Sequence, residues 1–335
     1  MAIEKIGVAI VSLSGQQNSY AQALYDNPRV QIVAVTDDDP PAADEQVNRR
    51  WAEEHGAPFV PDLNDVLSRD DVQAVSLCSA IDRRVAVVRK VAAAGKHILG
   101  DKPLTETLAD GDAIIDAVDR AGVKMMVGHN FRFNPAILDA RESLKRGDVG
   151  LPWAIHSEWV IAAGARAAAI GELRNHAMYP LDAVLYLVPE KVRSVYAITG
   201  SYFFDNAKQS GVEDMAFITM EMDRGIIATT SLGRTPVQHT NGYGGDQTIR
   251  VMGTHGMLFL DANRPSWTAH GRSGTTNLTY GPVQMSSMVE HFVSCILEDR
   301  TPMCSPRDAR DALEITLAAL QSSRENRVVK LPLPA

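Results

Sequence analysis

The chain has 335 residues, a length that makes two domains rather than one, each able to bury its own core. Its 33 Lys and Arg against 41 Asp and Glu give a formal charge of −8, which argues against a nucleic-acid or anionic-membrane partner because neither has a basic patch to meet. No apolar run reaches the roughly 20 residues that span a bilayer, and Met1–Val11 reads straight into a strand without the basic region of a signal peptide.

The first third alternates strand-like and helix-like runs. Lys5–Leu13, Val30–Thr36, Val72–Cys78, Lys96–Gly100 and Val123–Gly128 are apolar and β-branched, as parallel strands covered on both faces should be. Helical runs at Ser19–Asp26, Pro41–His55, Arg83–Ala94 and Asp110–Ala121 separate them, and Gly56, Gly95 and Gly122 supply C-terminal stops. This order predicts right-handed crossovers and a doubly wound parallel sheet, a Rossmann domain over residues 1–128. After the helix Pro135–Arg146, strands dominate: Trp153–Ile161, Val192–Thr199, Met215–Met222, Ile226–Leu232, Gln247–Met252 and Met257–Leu260. Turns such as Asp223-Arg224-Gly225 and Thr254-His255-Gly256 join several of them as hairpins. Residues 129–335 are therefore expected to form an α+β domain on an open, mostly antiparallel sheet. The closing helices Gln284–Glu298 and Pro306–Ser323 are expected to pack back on the first domain. Cys78, Cys295 and Cys304 make an odd count with no metal-ligand spacing, so buried, reduced thiols in a cytoplasmic protein are expected, and no metal.

A dinucleotide site in this fold lies beyond the carboxyl ends of the strands, with pyrophosphate on backbone N–H groups at the first helix N-terminus. The usual loop is Gly-x-Gly-x-x-Gly; here it reads Ser12-Leu13-Ser14-Gly15-Gln16-Gln17, with one glycine. Ser12, Ser14, Gly15 and Gln16 are the candidate phosphate contacts, and the alternative is a tight turn with no ligand. The second strand ends at Thr36-Asp37-Asp38-Asp39. Asp37 stands where a carboxylate accepts the ribose hydroxyls and repels a 2′-phosphate, which favours NAD over NADP. Asp38 and Asp39 read as a solvated turn. Cys78 and Ser79, where the third strand ends, are further cofactor candidates.

Asp101-Lys102-Pro103 follows the strand Lys96–Gly100. Ala92–Thr105, Val127–Pro135 and the domain order resemble the glucose-fructose oxidoreductase and inositol dehydrogenase family, Gfo/Idh/MocA, whose block reads Glu-Lys-Pro where Asp101 stands here. The resemblance implies NAD as cofactor, a sugar or polyol substrate, and homodimers or homotetramers formed through the C-terminal sheet. It also implies that Lys102 binds or activates substrate and touches the nicotinamide ribose beside Asp101. Asn130 and Arg132 match the family's Asn-x-Arg segment near the nicotinamide.

The family's second motif, Asp-x-Gly-x-His-x-x-Asp, matches Asn175–Asp182. Tyr179 stands at the histidine, as in sugar-oxidising branches of the family that use Tyr followed by Pro, and Asn175 stands at the first acid. Asn175, Tyr179 and Asp182 fall at i, i+4 and i+7, so a helix puts them on one face. The resemblance makes Tyr179 an acid/base assisted by the Lys102 ammonium, and Asp182 an acceptor for substrate hydroxyls. His176 is an alternative acid/base. Tyr179 and His176 as ordinary packed residues remain the plainer reading. His156 and Glu158 alternate along the first strand of the second domain and share one sheet face, which makes His156 a substrate-side candidate. His239, Asn241, Gly242, Gly244 and Gly245 form a polar loop suited to a lid. The expected activity is NAD-dependent hydride transfer from a secondary hydroxyl. Transient-oxidation glycoside hydrolysis and a catalytically silent nucleotide-binding protein are the alternatives.

Overall fold

Six consecutive buried residues, Ile6–Val11, form strand β1, as an unbroken apolar run covered on both faces requires. The computed structural model describes residues 5–38, 41, 43, 45–162, 164–236, 244–263, 266–271, 274–279 and 284–334. The chain divides into one unit of Met1–Asn130 with Met285–Arg310 and a second of Phe131–Gln284 with Asp311–Ala335.

In the first unit, β1 is followed by α1 (Gln17–Tyr25), β2 (Val30–Thr36), α2 (Glu45–Glu54), α3 (Leu63–Leu67), β3 (Ala74–Leu77), α4 (Arg84–Ala93), β4 (His97–Gly100), α5 (Leu108–Ala121) and β5 (Met125–Val127). The five strands run parallel in the order β2-β1-β3-β4-β5. Phe59 adds an isolated parallel bridge to Val35 on the outer edge of β2. The sheet is thus the dinucleotide-binding order 3-2-1-4-5-6 with its third position reduced to one bridge. The order reverses between β1 and β3, so their carboxyl ends diverge and leave a crevice at residues 12–17 and 78–79. Helix α5 begins two residues before the expected Asp110, because the Thr107 side chain accepts the Asp110 N–H and caps it there.

The second unit opens with α6 (Pro135–Arg146), capped by Asn134, whose side chain accepts the Ala136 N–H, with Pro135 at the first helical position. Then come β6 (Pro152–Ala162), α7 (Glu172–His176), α8 (Met178–Leu187), β7 (Val192–Gly200), α9 (Asp205–Ser210), β8 (Met215–Met222), β9 (Ile227–Thr235), β10 (Gly244–Gly253), β11 (Gly256–Asp261), β12 (Ser266–Gly271) and β13 (Gly274–Thr279). Helix α10 (Gln284–Leu297) lies largely in the first unit, α11 (Pro306–Glu325) begins there and ends in the second, and β14 (Val329–Lys330) closes the sheet. The nine strands run β13-β12-β11-β10-β6-β9-β8-β7-β14, antiparallel except for the β6·β9 pair. Side chains alternate along β8 from Ala216 onward, where Phe217, Thr219 and Glu221 are exposed and their neighbours buried. Helices α7 and α8 cover the buried face over β6 and β9. Strands β12 and β13, rich in Thr, Ser and Gly, carry no apolar alternation and went unexpected. His239, Asn241 and Gly242 of the expected lid lie outside the described residues, while Gly244 and Gly245 begin β10.

One contact ties the first unit's fold to its crevice. A Cβ on Gly128, just past β5, would sit 2.2 Å from the Tyr20 hydroxyl oxygen of α1. Gly128→Ala is expected to cost about 1–3 kcal/mol as overpacking, read as a lowered melting temperature. A variant that melts with the wild type would show that Tyr20 moves freely.

Candidate active site

The loop after β1 has side chains at all three positions, 12, 14 and 17, where the nucleotide-binding loop has glycine, and each is accommodated differently. Ser12 adopts φ +62, the left-handed geometry a glycine would supply, and is fully buried. Ser14 turns its Oγ onto the Cys78 carbonyl at 2.6 Å and receives the Ser12 hydroxyl at 3.1 Å. Gln17 buries its amide against β3, donating Nε2 to the Ser76 carbonyl and accepting the Ser76 hydroxyl, both at 3.1 Å. Gly15 holds φ +53, and a Cβ there would lie 2.9 Å from Asp101 Oδ2. Gln16, the residue before α1, places no side-chain cap on the helix.

Asp37 is buried at the tip of β2. Its Oδ1 accepts the Asp38 N–H at 2.7 Å, and its Oδ2 accepts Asn48 Nδ2 at 2.6 Å and the Ala43 N–H at 3.1 Å. Asn48, from α2, also accepts the Leu13 N–H at 2.9 Å. One amide therefore joins the loop after β1 to the carboxylate at the tip of β2, a link with no signal in the sequence.

The Asp101–Pro103 turn is clamped by Arg84, buried at the start of α4. Its Nη1 donates to the carbonyls of Asp101, at 3.1 Å, and Pro103, and its Nη2 to the Ser79 carbonyl at 2.9 Å. Asp101 Oδ1 accepts the Lys102 N–H at 2.8 Å and the Tyr20 hydroxyl at 3.0 Å. Lys102 is held 8 % exposed at the carboxyl end of β4. Burial pushes the Cys78 thiol up, the Asp101 charge adds to this, and the sulfur stays protonated.

The residues fit a dinucleotide. Ser79 Oγ and Asn130 Oδ1, just past β3 and β5, are buried polar atoms with no hydrogen-bond partner, the condition expected of groups that await a ligand.

In the second unit the motif helix divides at Ala177. Pro180 has no N–H to give the His176 carbonyl, and it falls in the first turn of α8, where that loss is tolerated. Asn175 and His176 thus end α7, and Tyr179 and Asp182 sit in α8. The break leaves the His176 and Tyr179 ring centroids 6.1 Å apart. Tyr179 packs on Phe131 (5.1 Å), which packs edge-on to Trp159 of β6 (4.7 Å). Trp159 Nε1 is buried with no acceptor, as are the hydroxyls of Ser157 and Thr230, cross-strand neighbours on the same sheet face.

His176 Nδ1 is hydrogen-bonded to Glu172, which is fully buried. Burial alone would raise the Glu172 carboxyl. The His176 hydrogen bond and charge, the Ala168 N–H and the Arg234 guanidinium outweigh that and hold it at about 2. Nearby Glu213 is pushed up, first by burial and then by the Glu172 charge, although it accepts the Leu173 N–H at 2.8 Å.

Three expectations change. Arg132, expected at the nicotinamide, and Asp182, expected to accept substrate hydroxyls, bind each other: Nε to Oδ2 and Nη2 to Oδ1, both at 2.7 Å, at 5 % and 2 % side-chain exposure. A buried guanidinium demands such a partner, so the carboxylate's fork is occupied by protein. His156, expected on the substrate side, is exposed and pairs with Thr229 on the outer sheet face, opposite Trp159 and the helices. The two-residue period of a strand sets it there.

The pattern "Oxidoreductase family, NAD-binding Rossmann fold" matches residues 6–129, and the GFO/IDH/MocA C-terminal domain matches residues 137–259. The chain belongs to this Gfo/Idh/MocA family of NAD-dependent oxidoreductases that act on alcohol groups. It is 25 % identical to a myo-inositol 2-dehydrogenase of Thermotoga maritima over 288 residues, 81 % of this chain and 83 % of that one. It is 26 % identical to a D-apiose dehydrogenase of Paraburkholderia graminis over 98 % of this chain and 90 % of that one. A levoglucosan dehydrogenase solved with NADH and levoglucosan shares the fold with a TM-score of 0.86 at 18 % identity, covering 98 % of this chain and 100 % of that one.

Asp182→Ala, which leaves the Arg132 charge buried alone, is expected to cost about 3–5 kcal/mol in chemical denaturation. Adding Arg132→Met should recover most of that loss. A near-neutral Asp182→Ala would mean that water already reaches the pair.

Proposed function

We propose that this chain oxidises a secondary hydroxyl of a sugar, inositol or sugar derivative, with NAD as hydride acceptor. The observation that carries the reading is the buried Trp159 indole N–H, without an acceptor, beside the Phe131–Tyr179–His176 cluster. A buried donor left unmade costs about 1–3 kcal/mol, and a hydroxyl-rich substrate would satisfy it. The names of the relatives point to the same substrate class.

On this reading Asp37 and Asn130 bind the cofactor, with the Ser12–Gln16 loop, Cys78, Ser79 and Asp101 around it. Lys102 donates to the reacting hydroxyl and stabilises the alkoxide as it forms. Tyr179 and His176 handle the proton, and Asn175 assists from the end of α7. Asp182 acts through Arg132, by holding α8 in place. The nicotinamide, when bound, supplies the hydride acceptor.

The outer sheet face carries the proposed association into dimers or tetramers. Ile198, Phe217 and Ile227 are 52 %, 51 % and 42 % exposed there, around a shallow cavity of about 500 Å³ lined also by His156, Glu158 and Arg250. Among the described residues no helix is long and apolar enough to cross a membrane, and all three cysteines are free and buried. A cytoplasmic setting accords with this.

The test is a screen of inositols, aldoses and anhydro-sugars for NADH formation. At least one is expected to reduce NAD, and Lys102→Ala should then lower kcat/KM by about 100- to 1000-fold. NADH formation with none of them would refute the reading. Phe217→Asp should shift the protein to a smaller species in size-exclusion chromatography, and a wild-type monomer would rule out the sheet interface.

A further inference from the structure

Two arginines stand where the turn after β3 enters α4, and they take opposite courses. Arg84 turns toward β4 and binds three carbonyls. Arg83 turns toward β2. Its Nε lies 3.8 Å from Asp38 Oδ2 and 4.0 Å from Asp82 Oδ1. The Asp38 side chain is 6 % exposed and that of Asp82 74 %, so water screens the second pair far more than the first. Asp38, which reads in the sequence as a solvated turn residue, is thus a buried carboxylate beside Asp37. Where this pair lies matters more than its length. In the parallel order β2-β1-β3, strand β1 separates the other two, and all three carboxyl ends point the same way. A contact from the turn after β3 to the residue after Asp37 therefore crosses the crevice above the loop that follows β1.

We propose that Arg83 is a latent receptor for a 2′-phosphate, masked by Asp38, so that the preference for NAD over NADP is set by Asp38 as well as by Asp37. The inference rests on the cofactor reading above. A dinucleotide laid across this crevice brings its adenosine ribose to the end of β2, where the 2′-oxygen meets the two carboxylates. A guanidinium is the side chain best matched to a phosphate there, because its planar fork of N–H groups binds two oxygens at once. Facing Asp38, that charge is neutralised. Asp37, Asp38 and Asp82 set three anions against the one cation of Arg83, and an arriving phosphate dianion is repelled. Without the Asp38 charge, Arg83 is released to the phosphate. Asp37 meanwhile keeps its bonds to the Asp38 and Ala43 N–H groups and to Asn48. The preference then narrows and does not reverse.

The experiment is equilibrium binding of NADH and NADPH, read by nicotinamide fluorescence, in a double-mutant cycle at positions 38 and 83 of the full chain. The wild type is expected to bind NADH more tightly. Asp38→Asn, close in shape and without the charge, should tighten NADPH binding about 10- to 100-fold, the range of a hydrogen bond to a charged group. NADH binding should change less than about threefold. In the Arg83→Ala background the same substitution should gain less than about threefold for NADPH, because no cation is left to unmask. An equal gain with and without Arg83 would mean simple relief of repulsion and overturn the inference, as would no gain in Asp38→Asn. Arg83→Lys beside Asp38→Asn keeps the charge without the fork and should keep part of the gain. Added salt should shrink the gain, as it does for an ionic contact, and a gain indifferent to salt would also overturn the inference. Melting temperatures report folding, and if Asp38→Asn unfolds, Asp38→Ser is read in the same cycle. A wild type that binds neither nucleotide would defeat the cofactor reading itself, whereas NADH binding with an additive cycle would defeat the inference alone.

Discussion

The nucleotide crevice depends on hydrogen bonds that reach across a diverging pair of strands. Where the sheet order reverses, β1 and β3 part, and their carboxyl ends leave main-chain groups that no neighbouring strand can satisfy. Glycine loops meet this by letting a ligand approach the backbone. Here Ser14 reaches the Cys78 carbonyl, Gln17 reaches Ser76, and Arg84 gathers the carbonyls of Ser79, Asp101 and Pro103. The loop is cross-linked by its own side chains, and the lysine turn after β4 is held by the same kind of bond. The loop after β1 and the Lys102 turn are thus held by buried donors from that loop and from the first residues of α1 and α4.

Two carboxylates beside the motif helices take different parts. Asp182 gives both oxygens to Arg132 inside the second unit, and its ion pair secures α8. Glu172 gives one oxygen to Arg234 and turns the other to His176, so its charge is felt at a titrating ring. The difference follows from the partner. A guanidinium never loses its proton in this setting, while an imidazole can, so one pair keeps a fixed charge and the other contains a group whose charge can change with pH.

Much of the fold was legible because its strands are long apolar runs and its helices stop at glycine. The parallel half reads from Val8, Val33, Val75 and Leu99, which fill the sheet, and the break after Pro180 follows from a missing N–H. The edge strand β13 and its neighbour β12 were not legible, since Thr, Ser and Gly there show no period. His156 could be placed on a sheet face but not on the correct one, because a period of two says which residues share a face and not which face is covered. The candidate site residues that a motif carries, Lys102 and Tyr179, could be singled out from sequence. The site was hidden where a residue works through another: Arg84, Asn48 and Glu172 look like ordinary helix residues until tertiary contacts give them partners. Arg132 and Asp182, fifty positions apart, gave no hint of each other.

The Asn48 amide has a consequence for redesign. Its oxygen accepts the Leu13 N–H while its nitrogen donates to Asp37, so the proposed ribose acceptor is mechanically joined to the proposed phosphate loop. Replacing Asp37 to admit a 2′-phosphate would strip Asn48 of one partner and loosen the other end of the bridge. Cofactor exchange in this protein is therefore a coupled, two-position problem, in which a substitution at Asp37 must be matched by a side chain at position 48 that still accepts from Leu13.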